Sequence, residues 1–243
     1  MAITNWLDYF NGISAVINVL FGISCGFYFL VKYAQTKKGL LPLVGLLFIG
    51  LGCFYSGPAT SFVALLYGTN ISGPLYAYLS YSFTPLTMIV AMILGFNIFK
   101  NEWRFKTMWI LVPIALVFWF FFYFFPENTF EYTDYFHFDF ITHLMDVSFI
   151  GVGLVIQAFY ILGAVGVLGG GFIALAVRIR GSPEYKKAVS LGIGWVFFGV
   201  SGALDALLSE AIPIIIAPAR ALMLTAYILI FLGFKPNLRV TEV

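Results

Sequence analysis

Long apolar runs separated by short polar breaks fill the chain from end to end. A helix needs about 20 mainly apolar residues to cross the hydrocarbon core of a bilayer, and at that length seven runs qualify. They cover residues 10–33, 40–67, 76–99, 107–125, 148–177, 188–210 and 212–234. Turn-forming or charged residues occupy the breaks: Gln35-Thr36-Lys37-Lys38-Gly39, Gly68-Thr69-Asn70, Lys100-Asn101-Glu102-Trp103-Arg104, Pro126-Glu127-Asn128 and Arg180-Gly181-Ser182-Pro183-Glu184. The sixth and seventh runs part only around Ala211, Ile212 and Pro213, which predicts a tight antiparallel hairpin. The first run is no cleavable signal, because no Lys or Arg precedes it and its apolar stretch is too long. The pattern predicts an all-α polytopic membrane protein: one domain over residues 1–243 with seven transmembrane helices.

Composition agrees with the pattern. Hydrophobic residues make up 61% of the 243 positions and charged residues 10%, whereas a soluble domain carries about a quarter charged residues. Too little polar surface remains to cover a water-soluble globule, which excludes a soluble enzyme. The same apolar excess excludes a disordered chain.

The charges are informative by position. Lys32, Lys37 and Lys38 follow the first run, Lys100, Arg104 and Lys106 the third, Arg178, Arg180, Lys186 and Lys187 the fifth, and Lys235 and Arg239 the seventh. Of the 13 basic residues only Arg220 falls elsewhere. The positive-inside rule makes that side cytoplasmic, so the N-terminus is expected outside the cell membrane and the C-terminus inside. Asp8, Glu127, Glu131, Asp134, Asp139, Asp146 and Glu210 fall on the other side. The stretches flanking the outermost runs are too short for a catalytic, kinase or nucleic-acid-binding domain. Any output is expected to pass through the bundle, the cytoplasmic loops or a partner, and no nucleic-acid partner is expected.

An internal repeat is legible as well. Gly52, Gly57 and Ala64-Leu65-Leu66 in run two match Gly194, Gly199 and Ala206-Leu207-Leu208 in run six. Gly26-Phe27 and Gly171-Phe172 precede the basic ends of runs one and five, and Leu94-Gly95-Phe96 and Leu232-Gly233-Phe234 close runs three and seven. Read as a duplication, these matches pair a half at 10–99 with a half at 148–234, joined by a linker helix at 107–125 and an outer loop at 126–147. Both halves start outside, so the repeat would be parallel about an axis along the membrane normal, with a central cleft. Gly, Leu and Phe are common enough here that chance also produces such matches.

Three charged side chains look committed to the membrane: Asp205, Glu210 and Arg220. A charge at mid-bilayer costs at least ~2.5 kcal/mol on insertion scales, so it is normally paired or functional. At 1.5 Å per residue Asp205 lies about 8 Å below the outer end of helix six, and Arg220 about 12–15 Å down helix seven. On adjacent antiparallel helices the two can meet as a buried ion pair, with Glu210 at the rim. The pair reads either as a structural clip or as a ligand or proton site. Under the repeat alignment Val63 matches Asp205 and Ser82 matches Arg220, so the polar pair belongs to one half only.

Neutral polar residues at depth are Asn18, Tyr55, Ser56, Thr60, Thr84, Gln157, Tyr160, Trp195 and Ser201. Interhelical hydrogen bonds account for most residues of this kind. Ser201 lies one turn from Asp205 on the same face, and Tyr55 and Trp195 could line a cleft with them. Pro58 follows Gly57 and Pro85 follows Thr84, both near mid-run, which predicts bent second and third helices. Gly163, Gly166, Gly169, Gly170 and Gly171 give helix five a smooth stripe for close packing, within the chain or against a second copy in a homo-oligomer.

The outer loop places Asp134, His137, Asp139, His143 and Asp146 among Phe136, Phe138, Phe140, Ile141, Leu144 and Met145. These are metal-type ligands, yet the alternation reads first as an interfacial helix with a solvated acidic face, and no metal site is assigned. Asn70-Ile71-Ser72 is a glycosylation sequon in an outer loop. Both His lie outside the bundle, which excludes a bis-His haem. Helix seven has no mid-span Lys for a retinal Schiff base, and Arg220 cannot replace it because guanidinium stays protonated. No Gly-x-Ser-x-Gly, His-Glu-x-x-His or P-loop occurs. Cys25 and Cys53 lie at different depths and read as small core residues rather than a disulfide. No enzyme activity, catalytic residue or cofactor is expected.

From Tyr81 to Tyr132 the chain runs through a polar-aromatic helix broken at Thr84-Pro85, then Phe99-Lys100-Asn101-Glu102-Trp103, a Pro113-containing aromatic helix and an acidic outer loop. This stretch, together with the topology, resembles the seven-helix membrane sensor region found at the N-terminus of some prokaryotic histidine kinases. Such regions feed a cytoplasmic kinase. Here the sequence ends at Val243, so the resemblance implies a stand-alone sensor with a separate effector.

The expectation is therefore a receptor-like or sensory protein, in contact with membrane lipid and a cytoplasmic signalling partner. An extracellular or lipid-soluble ligand would bind near Asp205, Arg220, Glu210, Trp195, Ser201 and Tyr55. The alternatives are a small-solute transporter of three-plus-one-plus-three layout, similar to sugar transporters in layout only, and a structural or assembly subunit.

Overall fold

The computed structural model describes residues 6–99, 102–132, 147–208 and 215–235. Ten α-helices make up its spans: α1 (Trp6–Thr36), α2 (Leu41–Cys53), α3 (Ser56–Leu66), α4 (Gly73–Tyr81), α5 (Thr84–Phe99), α6 (Trp103–Phe124), α7 (Gly151–Leu162), α8 (Gly170–Arg178), α9 (Tyr185–Leu208) and α10 (Ile216–Phe234). A π-helical turn, Gly163–Gly169, joins α7 to α8. Six spans are long and apolar enough to cross a membrane individually, and α2 with α3 supplies a seventh when taken as one bent span. Large apolar side chains cover the outside of the bundle; Trp109 is 84% exposed and Leu162 70%. A surface of that kind is stable against lipid and not against water, and the chain is an integral membrane protein.

The predicted bend in the second span falls where proline chemistry puts it. Pro58 has no N–H and clashes with the carbonyl four residues back; α2 ends just before Phe54-Tyr55, and α3 departs at 44°. Pro85 acts likewise on Tyr81: the α-helical pattern is interrupted at Ser82-Phe83, while α4 and α5 continue as one span. The first break is fastened sideways. Ser56 Oγ lies within hydrogen-bond distance of the carbonyls of Cys53 (2.7 Å) and Leu79 (2.5 Å), and the Gly57 N–H donates to Ser80 Oγ at 3.1 Å. At the start of α4, Ser72 Oγ accepts from the Leu75 N–H and Pro74 occupies the first turn, where its missing N–H costs nothing. The sequon serine is thus also a helix cap.

Successive spans touch in order, and α10 closes the ring against α1. α1 and α2 approach closely: a Cβ on Gly22 would stand 2.6 Å from Gly52 Cα and one on Gly26 2.9 Å from the Gly45 carbonyl oxygen. Only hydrogen fits there, which is how small residues let membrane helices come together. The interior is filled by Phe29, Phe48, Phe118, Phe122 and Phe172, none more than 1% exposed.

Four features differ from the sequence reading. Asp8, placed on the outer side by the sequence with no burial predicted, lies in the first turn of α1 and is fully buried; α1 begins at Trp6, several residues before its apolar run, and carries this carboxylate inward near its own N-terminus, where the helix dipole favours it. The outer loop opens with a 3₁₀ turn, Pro126–Asn128, and a pair of short antiparallel strands, β1 (Phe130–Tyr132) and β2 (Val147–Phe149), with Phe130 opposite Phe149. Three-residue strands carry too little alternation to be read from sequence. The fifth helix is not a smooth α-helix but contains the π turn. Its glycines also divide: Gly163, Gly169 and Gly171 abut Met92, Val196 and Phe99, while Gly166 and Gly170 face open space. The expected ligand set Asp134, His137, Asp139, His143 and Asp146, the rim residue Glu210 and the hairpin at residues 211–213 lie outside the described residues.

Candidate functional site

The site is built around the end of α9 and the start of α10, which pack along each other. Arg220 on α10 is 4% exposed and meets three chemically different groups. Its Nη1 lies 3.3 Å from Asp205 Oδ2 on α9. Its Nε–H donates to Asn11 Oδ1 on α1 at 3.1 Å. Its guanidinium carbon stands 4.3 Å from the centre of the Tyr55 ring. An anion, an amide oxygen and an aromatic face together replace the hydration shell that burial removes. Asp8, one turn before Asn11 on α1, adds a second buried carboxylate to this end of the bundle.

Ser201 and Tyr55 hold this cluster in register. Ser201 Oγ donates to the Ala219 carbonyl at 2.7 Å, tying α9 to α10 beside Arg220, and is also hydrogen-bonded to the Tyr55 hydroxyl. Tyr55 is the residue that the α2–α3 break turns inward. Two turns along α10 from Arg220, the buried Tyr227 hydroxyl donates to the Leu51 carbonyl at 2.6 Å, near the end of α2. α10 therefore pins the broken helix just before its break, at Leu51, and within it, at Tyr55.

Asp205 is less enclosed than its partner, with 30% of its side chain exposed. It opens onto a cavity of about 830 Å³, mouth included, lined from α4, α5, β2, α7, α9, α10 and the α2–α3 break. The wall combines Phe54, Tyr55, Tyr81, Phe149 and Phe198 with Met88, Met223 and Ile161, and its polar members are Thr84, Ser148, Gln157, Tyr160 and Asp205. Thr84 Oγ1, Gln157 Oε1 and the Tyr160 hydroxyl are shielded from solvent and have no hydrogen-bond partner in the protein. An unsatisfied buried polar group costs about 1–3 kcal/mol, and three on one wall are hard to explain as packing alone. Pro58 adds to this, since without an N–H it gives the Phe54 carbonyl no α-helical hydrogen bond.

Of the residues expected from sequence, Asp205, Arg220, Ser201 and Tyr55 come together, and Asp205 and Tyr55 reach the cavity wall. Arg220 and Ser201 sit behind the wall. Trp195 is 1% exposed and lies deeper, edge-on to Phe198 at 5.5 Å, with its Nε1–H unpartnered. Asn11, Ser148, Phe149 and Met223 join the site without any signal in the sequence. Thr84, Gln157 and Tyr160 are legible there only as polar residues at depth; the spacing Gln157, Tyr160, Ile161 on an apolar helix is the available signal for a shared face. Cys25 and Cys53 are free thiols. Among the described residues no group of three His, Cys, Asp or Glu side chains converges as a metal site would require.

Comparison with known protein families, characterised proteins and solved structures finds no match for this chain.

Proposed function

We propose that the protein is a receptor-like seven-helix membrane sensor, without enzymatic activity, that binds a small ligand in the cavity beside Asp205 and passes the change to a cytoplasmic partner. The observation that carries this reading is the cavity itself: three residues that bear unpartnered buried polar atoms line one aromatic-walled space together with a partly exposed carboxylate. The wall draws on both segments of the chain that the repeat would pair, 10–99 and 148–234, as a cleft between duplicated halves would. Under the positive-inside rule the basic loops support an orientation with the cavity toward the outer side and the C-terminus inside. Occupancy would act on the broken helix through Tyr55 and on α10 through the Asp205–Arg220 contact.

Hydrogen–deuterium exchange of the protein in nanodiscs, with and without solutes extracted from its native membranes, tests the reading. Protection at Thr84–Met88 and Gln157–Ile161 with altered exchange in the distant loops 37–40 and 179–184 is the expected result. Protection confined to the cavity would leave a binding protein with no transmitted signal. A protease-accessible C-terminal tag in right-side-out vesicles would reverse the orientation.

A small-solute transporter is the second reading. It is favoured by one observation, the helix break at Tyr55 beside the site, because discontinuous helices build transporter binding sites. Counterflow of a cavity-binding solute in proteoliposomes would select it over a sensor.

A further inference from the structure

Resting on the reading of the cavity as a ligand site, we infer that its ligand is a small organic cation, an amine on an aromatic or apolar body. The wall is rich in acceptors, and the Gln157 amide nitrogen is the obligate side-chain donor among its described residues. Asp205 is its charged member among the described residues, and no Lys or Arg of that set lines it. Arg220 is held behind the wall by Asn11 and the Tyr55 ring, so an occupant meets the carboxylate and not the guanidinium. A carboxylate offers about four acceptor positions, enough to serve Arg220 and a ligand N–H together. Gln157 Oε1 is an unpartnered acceptor. The Phe54 carbonyl, on a wall residue, receives no α-helical hydrogen bond because Pro58 follows it by four. Thr84 and Tyr160, each 2% exposed, carry hydroxyls that accept as readily as they donate.

The apolar part of the wall suits the same occupant. Five aromatic residues, Phe54, Tyr55, Tyr81, Phe149 and Phe198, surround the space, and an aromatic face within about 6 Å attracts a cation. Tyr55 already binds one cation, Arg220, on its ring. An anionic ligand would meet Asp205 without a facing cation, and a purely apolar one would leave the acceptors unpaired at about 1–3 kcal/mol each.

Four probes of one skeleton separate these classes: 2-phenylethylamine, its trimethylammonium derivative, 2-phenylethanol and phenylacetate. Thermal unfolding of the full chain in detergent is followed at rising probe concentration up to the millimolar range. The amine or the trimethylammonium compound is expected to raise the Tm in a saturable manner, with the alcohol and the carboxylate inactive. In the Asp205→Asn/Arg220→Gln double variant, which removes the carboxylate without stranding the arginine, the saturable shift is expected to vanish. Gln157→Leu, which leaves the ion pair intact, is expected to weaken the shift at least tenfold in concentration. Equal or larger shifts with the alcohol or the carboxylate overturn the cation assignment and leave the cavity as a ligand site. A cation-induced shift that persists in the double variant and in Gln157→Leu overturns the placement at Asp205. No shift with any of the four overturns the assignment and counts against the ligand-site reading as well.

Discussion

Tyr55 lays its ring against the Arg220 guanidinium at 4.3 Å while its hydroxyl engages Ser201. One residue at a helix break therefore joins the buried cation to the helix that carries its counter-ion. The two functions of the side chain can be separated. Tyr55→Phe keeps the aromatic face and should cost no more than about 1 kcal/mol, the net value of one hydrogen bond. Tyr55→Leu loses the cation–π contact too, worth about 0.5–2 kcal/mol. Chemical or thermal unfolding in detergent should rank wild type, Phe and Leu in that order; equal losses would show that the ring contributes nothing.

Asp205 and Arg220 should behave as one electrostatic unit. Removing one partner of a buried pair typically costs ~3–5 kcal/mol, whereas replacing both is nearly neutral, and water defects in a bilayer soften the penalty. Asp205→Asn and Arg220→Gln should each lower the Tm, Arg220→Gln less because Asp205 is 30% exposed. The double change should recover part of the loss. Simple additivity in a double-mutant cycle would mean that the 3.3 Å contact carries no coupling.

The unpartnered hydroxyls should oppose stability. Thr84→Val and Tyr160→Phe each remove a buried polar atom with little change of shape, and without ligand each should stabilise the protein by up to about 1–3 kcal/mol. The same variants should bind ligand less well, a trade of function against stability. A fall in Tm on either substitution would show that the hydroxyl has a partner after all.

Glycines should divide by surroundings. Gly22→Ala forces a methyl to within 2.6 Å of Gly52 Cα, a backbone atom that cannot swing aside, and should cost at least about 1–3 kcal/mol, as overpacking does. Gly166→Ala meets nothing within 4 Å and should be neutral or mildly stabilising. Parallel melts of the two variants decide this; a large loss at Gly166 would show that the π turn needs glycine for its backbone.

What can be read from the sequence is what stands out against an apolar background. Asp205 and Arg220 do so because charges inside apolar runs are costly, and Pro58 and Pro85 do so because a missing N–H acts locally. Asn11 and Asp8 do not, because their importance depends on α1 lying beside α10, a contact between opposite ends of the chain. Nor do Thr84, Gln157 and Tyr160. In sequence they look like Thr60 or Thr225, whose hydroxyls merely bond back to their own helix; only folding shows which polar groups are left without such a partner. The β1–β2 pair is held by its neighbours: Tyr81 stacks on Phe130 at 5.9 Å and meets Phe149 at 4.6 Å.

The π turn at Gly163–Gly169 separates two stretches of one span that face different things. Before it, Gln157, Tyr160 and Ile161 border the cavity; after it, Gly171 and Phe172 lie against Phe99. Neighbouring residues of an α-helix point about 100° apart. Returning the turn to α geometry would therefore swing α8 by roughly that azimuth, or slide it along its axis by about 1.5 Å, while α7 stayed in place. The wider winding works as a phase offset between the two ends of one rod.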